Sequence, residues 1–338
     1  MTIDAVILWV DGNDPAHKAK LVKYATTGQT KRYDVAGGTR YASLGEVFFL
    51  VASINRFAPF FHKIFIITDG QDPGLDAFLE KNFPHGHIPY EIVDHKIVFR
   101  GYEQYLPVFN SRSIETIKWR IPGLSEHFVS FNDDFMLSAP VTPRDFFTEE
   151  GNPVCYARKM PLWWGKTLRA LKPRHNGHKN VSFKESMMHS AELLGHKGWF
   201  LRFEHTPRAL LRSWYEDYFT AHPEQFERNI SFRFRDASQF NPEELEYLPL
   251  YKEGRLEVQD PFKKLFFIQV KNKPGYVPRK LKALREAKPR FCCFNSLDQA
   301  SEQDRQLVLD YIFETLQLKL DYDNHFTDFV QAETQIYT

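Results

Sequence analysis

Asn132-Asp133-Asp134 interrupts a stretch, His127 to Leu137, that otherwise reads as buried strand. Each carboxylate is costly to desolvate, so two in succession between Val129-Ser130-Phe131 and Phe135-Met136-Leu137 need a cation or a proton to manage their charge. Hard oxygen ligands suit Mg²⁺ or Mn²⁺, and a metal held there would offset the charge of a nucleotide diphosphate. A solvated turn would use the same residues. Asp11 and Asp69, however, close two other apolar runs, "AVILWVDG" and "KIFIITDG". Three runs ending in acid favour a shared site over a turn.

Three further positions could carry chemistry. His205 precedes Thr206-Pro207, which reads as the opening of a helix, so it suits a general base or a helix-edge histidine. Arg233 and Arg235 alternate with Phe in "SFRFRD". Strand periodicity would turn both to one face, where guanidinium forks fit phosphate oxygens or meet solvent. The segment 271–290 holds eight Lys or Arg against one Glu. It reads as a solvated basic surface, or as a patch for an anionic polymer or lipid headgroups.

The elements that must position these residues alternate. Residues 5–10, 63–70 and 127–131 read as short buried strands, and 43–58 and 110–121 as helices, the first with Ser43 and Glu46 at capping-box spacing. This order predicts an α/β fold with a mainly parallel sheet, whose ligands bind beyond the carboxyl ends of the strands. Residues 150–200 show weaker periodicity, and within them "KMPLWWGK" and "KPRHNGHKN" read as loops over a site. The pattern from 204 to 250 is helical, "RFCCFN" reads as a strand, and 301–318 as an amphipathic helix opened by Ser301.

The chain's 338 residues allow ample core. We expect one catalytic domain, with a nucleotide-binding part at 1–150, an acceptor and helical part at 151–270, and a completing part at 271–338. A formal net charge of +1 argues against bulk nucleic-acid binding, so an anionic partner must meet a local patch. Three cysteines, Cys155, Cys292 and Cys293, give no disulfide framework and favour a reducing compartment. "MTIDAVILWVDG" lacks the basic start of a signal peptide, and no run approaches the roughly 20 apolar residues of a membrane helix. The expected location is cytoplasmic, with peripheral membrane contact open to 271–290.

At these residues the chain resembles the Stealth family, which includes bacterial capsule polysaccharide phosphotransferases and the animal GlcNAc-1-phosphotransferase α/β subunit. The resemblance lies in "IDAVILWVDGNDP" (3–15), in residues 40–73 and 109–137 ending in Asn-Asp-Asp, in "EHTPRALLRSWYEDYFTAHPEQFERNISFRFR" (204–235) and, more loosely, in "RFCCFNSLDQ" (290–299). It implies a nucleotide-sugar-binding core, GT-A-like or Rossmann-like, with helical insertions and a C-terminal helical part. The implied reaction moves a sugar 1-phosphate from a nucleotide sugar to a glycan hydroxyl. A phosphodiester forms and a nucleoside monophosphate leaves, as in capsule or cell-surface polysaccharide synthesis, with other capsule-synthesis enzymes as implied partners.

Matched residue by residue, the resemblance implies nucleotide-sugar contacts at Asp4, Asp11, Gly12, Arg40, Asn110, Ser111, Asn132 and Asn295. Asp133 and Asp134 are expected to hold the metal, with Asp298 as a further ligand. Catalytic roles fall to His205, Asp134 and Arg235, with His205 preferred as base because a metal-bound carboxylate is a poor one. A double displacement through a phosphohistidine stays open. The chain departs from the family at Ser43, where an acid is usual, at Ala52, where an Arg is usual, and at Ser296, where Asn-Asp is usual. Two other classes remain: a metal-dependent nucleotide-sugar glycosyltransferase and an inactive glycan-binding protein.

Overall fold

The computed structural model describes residues 1–27, 45–163, 183–269, 274–297 and 300–319. Its strands are β1 (Ile3–Leu8), β2 (Ile64–Thr68), β3 (Tyr90–Asp94), β4 (His127–Asn132), β5 (Phe135–Leu137), β6 (Val154–Pro161), β7 (Trp199–Phe203), β8 (Arg208–Leu211), β9 (Glu257–Gln259), β10 (Leu265–Gln269) and β11 (Phe291–Asn295). The helices are α1 (Pro15–Thr27), α2 (Glu46–Phe57), α3 (Leu75–Asn82), α4 (His95–Val98), α5 (Ser111–Ile117), α6 (Phe183–Leu193), α7 (Arg212–Ala221), α8 (Pro223–Ile230), α9 (Pro242–Lys252), α10 (Tyr276–Ala287) and α11 (Glu302–Leu316).

The main sheet has the order β3-β2-β1-β4-β8. β1, β2, β3 and β4 run parallel, and β8 is antiparallel to β4 at the edge. This is the α/β sheet that the alternating sequence predicts. Every residue of β1 and β2 is buried, as expected of parallel strands covered on both faces. α2 is buried over eight consecutive residues, Val47 to Ile54, and its Ser53 hydroxyl accepts from the amide of Leu137 at 3.1 Å, tying the helix to β5.

Two smaller sheets complete the core, β10-β11-β5 and β7-β6-β9. β4 and β5 are separated only by Asp133 and Asp134, yet they belong to different sheets. The acidic pair therefore sits at the junction of two sheets. One apolar cluster runs from Ile3 to Leu318, so all three sheets share a core. Among the described residues, no helix is long and apolar enough to cross a membrane.

Four expectations change. Thr206-Pro207 opens a strand, β8, because proline holds its predecessor extended and is tolerated where an edge strand begins; the helix starts only at Arg212. Residues 231–237 form no strand, so Arg233 and Arg235 do not share a strand face. α2 starts from Gly45, in a left-handed conformation (φ 82°) with no side-chain cap, in place of a capping box; Ser43 lies outside the described residues. The first loop reading, 159–166, begins inside β6, which runs to Pro161, while 164–166 and all of 172–180 lie outside the described residues.

Candidate active site

The chain lays β2 and β3 on one side of β1 and β4 on the other, so the order reverses between β1 and β4. Leu8 pairs with Asn132 there. Ligands of open α/β sheets bind in the crevice at this reversal, outside the carboxyl ends of the strands. A cleft of about 450 Å³ opens there. It is lined at one end by Trp9, Asp69 and His95, and at the other by Asp133, Asp134, His205 and Arg235.

At the acidic end, Phe131 and Phe135 are buried on either side of the pair and fix its backbone. The amide of Phe294 donates to the Asp134 carbonyl at 3.2 Å, fastening β11 alongside. Oδ2 of Asp134 accepts from Nδ2 of Asn295 at 3.2 Å and from the Cys293 thiol at 3.3 Å. Oδ1 of Asp134 is buried with no hydrogen-bond partner. Burial, then the charges of Asp134 and Glu46, push the Asp133 carboxyl well above the usual range. Crowded carboxylates with an orphaned oxygen fit a divalent cation, and Asp133 and Asp134 supply hard oxygens to hold it.

His205 stacks on Phe267 at 4.7 Å and meets Phe135 edge-on at 6.3 Å. Burial pushes its imidazole below the ordinary value, opposed by the charge of Asp134, so the ring is neutral at neutral pH. Its ring nitrogen, an Asp134 oxygen and the Cys293 sulfur lie within 4.8 Å of one another. Burial and Asp134 together push the Cys293 thiol well up. Arg235 reaches the cleft by donating Nη2 to the Ser111 hydroxyl at 2.8 Å.

The other end of the cleft mixes apolar and polar groups. Nε1 of Trp9 and Nδ1 of His95 are buried without a hydrogen-bond partner. Burial lowers His95 to about 4, leaving it neutral. Asp69 is paired with Lys20 at 2.9 Å.

The expected site residues divide. Asn132, Asp133, Asp134, His205, Arg235, Ser111 and Asn295 all line the cleft. Asn110 borders it too, but its side chain caps α5 by accepting from Arg112 N and donates to Ser113, Phe232 and Gln239, so its polar groups are committed to the fold. Asp4 is a correction. It stands at the amino end of β1, buried, and accepts from the Ser125 amide at 2.7 Å and pairs with His62 at 3.0 Å, at the opposite end of the strands from the cleft. Asp11 and Gly12 do not line the cleft; Asp11 caps the Asn13 amide at 2.8 Å and its backbone is bracketed by Gln71. Arg233 also turns away, donating Nε to the Pro107 carbonyl at 2.9 Å and stacking over Tyr24. Arg40 and Asp298 lie outside the described residues.

Sequence reasoning missed Glu46, Cys293, Trp9 and His95. Glu46 carries a helix-capping signature that hides its charge, and Cys293 sits in a run whose facing is set only by strand pairing. Trp9 and His95 follow strands whose carboxyl ends the site shares, and that position was the available signal.

Residues 1–28 match Stealth protein CR1, conserved region 1, and residues 40–155 match Stealth protein CR2, conserved region 2. The second match contains Asn132-Asp133-Asp134, whereas His205, Arg235 and Asn295 lie beyond both. An exopolysaccharide phosphotransferase of Streptomyces coelicolor is 34% identical over 240 residues, covering 71% of this chain and 41% of that protein. The receptor polysaccharide phosphotransferase WefC of Streptococcus oralis is 40% identical over 161 residues, covering 47% of this chain and 46% of that protein. The chain thus spans less than half the length of both relatives. Among solved structures, the bifunctional glycosyltransferase WbbM superposes with a TM-score of 0.49 at 11% identity, over 98% of this chain and 52% of that one.

Proposed function

Because the chain belongs to the Stealth family, we propose that it transfers a sugar 1-phosphate from a nucleotide sugar to a hydroxyl of a glycan in the synthesis of a capsular or other cell-surface polysaccharide. The observation that carries this reading is the meeting of Asp133-Asp134, His205 and Arg235 in one cleft at the reversal of strand order.

The donor lies along the carboxyl ends of the strands. Neighbouring strands are about 4.8 Å apart, so the three steps from β3 to β4 span roughly 14 Å, the scale of a nucleoside diphosphate. The nucleoside fits the end with Trp9, whose unpartnered indole N–H suits a base or ribose oxygen. The diphosphate then reaches Asp133 and Asp134. These carboxylates would hold Mg²⁺ or Mn²⁺, which when bound neutralises phosphate charge.

Arg235, braced by Ser111, presents its guanidinium to the oxygens of the phosphorus that carries the sugar. The acceptor oxygen attacks that phosphorus, and the bond to the bridging oxygen breaks. The electron pair leaves with the nucleoside monophosphate. Neutral His205 takes the hydroxyl proton, and the imidazolium that forms is stabilised by Asp134 nearby. Phe267 and Phe135 fix the ring plane for this step. The acceptor would meet the cleft residues of 151–270, His205 and Arg235, and the eight Lys or Arg of 271–290 would suit an anionic surface.

A panel of nucleotide sugars with oligosaccharide acceptors tests the proposal through phosphorus NMR of the glycan product. A phosphodiester resonance is the expected result. A glycan free of phosphorus, formed beside a nucleoside diphosphate, would establish glycosyl transfer in its place.

A further inference from the structure

Phe135, Cys293 and Phe267 form one row across β5, β11 and β10, each directly paired with the next. Paired residues point to the same face. His205 rests against both phenylalanines of that row, which puts its ring over the sulfur between them. From the adjoining strand junction Asp134 brings its carboxylate to 3.3 Å from the same sulfur.

We propose that Asp134, His205 and Cys293 form a binding site for a thiophilic divalent cation, Zn²⁺ above all, whose occupancy switches transfer off. The donor set decides the class of metal. One oxygen, one nitrogen and one sulfur suit zinc, with a fourth position left to solvent, whereas Mg²⁺ takes oxygen ligands and avoids sulfur. Zinc bond lengths of about 2.3 Å to sulfur and 2.0 Å to oxygen put those two ligands about 3.5 Å apart in a tetrahedron. The observed 3.3 Å is close to that edge, and all three donors already lie within 4.8 Å. Cys293 stands on β11, Asp134 immediately precedes the paired strand β5, and His205 is clamped by rings, so little ordering remains. The orphaned Oδ1 of Asp134 leaves that carboxylate a free acceptor position.

Binding releases the Cys293 proton and takes the lone pair of a His205 nitrogen. It also draws on Asp134, which the hard cation of the transfer reaction shares, so the two metals compete. The binding itself stands on geometry alone; its inhibitory effect rests on the proposed role of His205. Cys292 is the internal control, because its thiol turns away to donate to the Ser138 hydroxyl at 3.1 Å.

Titration of the intact protein with Co²⁺ reads the site directly. The expected spectrum has thiolate charge-transfer absorption and intense tetrahedral ligand-field bands, saturating at one equivalent and bleached by Zn²⁺. Cys293→Ser should remove the thiolate absorption and weaken Zn²⁺ binding on the order of a hundredfold or more, above what losing a merely supporting group costs. His205→Ala should weaken binding while keeping that absorption, and Cys292→Ser should change neither. A spectrum lacking thiolate absorption in the wild type, or one abolished by Cys292→Ser and retained by Cys293→Ser, overturns the site. In the transfer assay, Zn²⁺ at concentrations that fill the site should inhibit the Mg²⁺-activated protein, with recovery on chelation and Mg²⁺ replacement. Undiminished turnover with the site filled overturns the switch. A Co²⁺ spectrum of the expected form in a protein that turns over no nucleotide sugar overturns the transfer reaction and leaves the metal site standing.

Discussion

Nδ2 of Asn295 donates to Oδ2 of Asp134 at 3.2 Å, joining the last residue of β11 to the residue that precedes β5. The contact crosses from the small sheet to the junction with the main one, and it sets the direction in which the carboxylate faces the cleft. Asn295→Ala removes the donor and lets Asp134 turn. A misplacement of about 1 Å among the reacting groups can cost about 10²-fold, so kcat should fall by roughly that much. Steady-state kinetics and a thermal melt together check this, and the melting temperature should change little.

Arg235 donates Nη2 to the Ser111 hydroxyl at 2.8 Å and lines the cleft, and in the proposed reaction it meets the phosphate oxygens. Removing a donor that stabilises developing charge costs about 10²–10³ in kcat. Arg235→Ala should lose about that much. Arg235→Lys should recover little of it, because a compact ammonium cannot keep the donation to Ser111 and also present a planar fork to a phosphate. A KM-only effect in either variant would assign the residue to substrate binding.

Below the site, Lys118 donates to Glu243 at 2.7 Å and to the Ser130 hydroxyl of β4 at 3.0 Å, with both charged side chains buried. Breaking such a pair strands a charge and costs about 3–5 kcal/mol, whereas replacing both members by apolar groups is often neutral. Lys118→Met should therefore lower the urea midpoint sharply at unchanged m value. Adding Glu243→Leu should restore most of the loss.

Glu244 and Glu246 in α9 are buried, and each accepts a backbone amide, from Leu201 at 2.7 Å and Leu211 at 2.9 Å. Desolvation pushes both carboxyls well above the usual range. The folded state thus holds protons that the unfolded state has lost, and stability must fall as pH rises above about 4.5. Thermal melts from about pH 5 to 8 should show that decline. The double variant Glu244→Gln/Glu246→Gln keeps both acceptors, so its curve should be flatter and cross above the wild type at the alkaline end.

The strands of the main sheet could be read from sequence where apolar runs were continuous, as in β1, β2 and β4. β8 was hidden because Arg208-Ala209-Leu210-Leu211 runs without a break into the helix that follows. Asp133 and Asp134 stood out because adjacent carboxylates inside an apolar run have a clear physical cost. Asp4 misled for the opposite reason: its motif is close in sequence to the cleft, but it lies at the wrong end of a six-residue strand. Strand pairing, which no local pattern encodes, decided that Cys293 faces Asp134 and that Cys292 does not.

In the proposed reaction phosphorus, not the anomeric carbon, is attacked. A donor radiolabelled at the phosphate that carries the sugar tests it most directly. After turnover with an acceptor glycan, the label should appear in the glycan as a phosphodiester, with unlabelled nucleoside monophosphate released. Label retained in a released nucleoside diphosphate, with an unlabelled sugar added to the glycan, would contradict it.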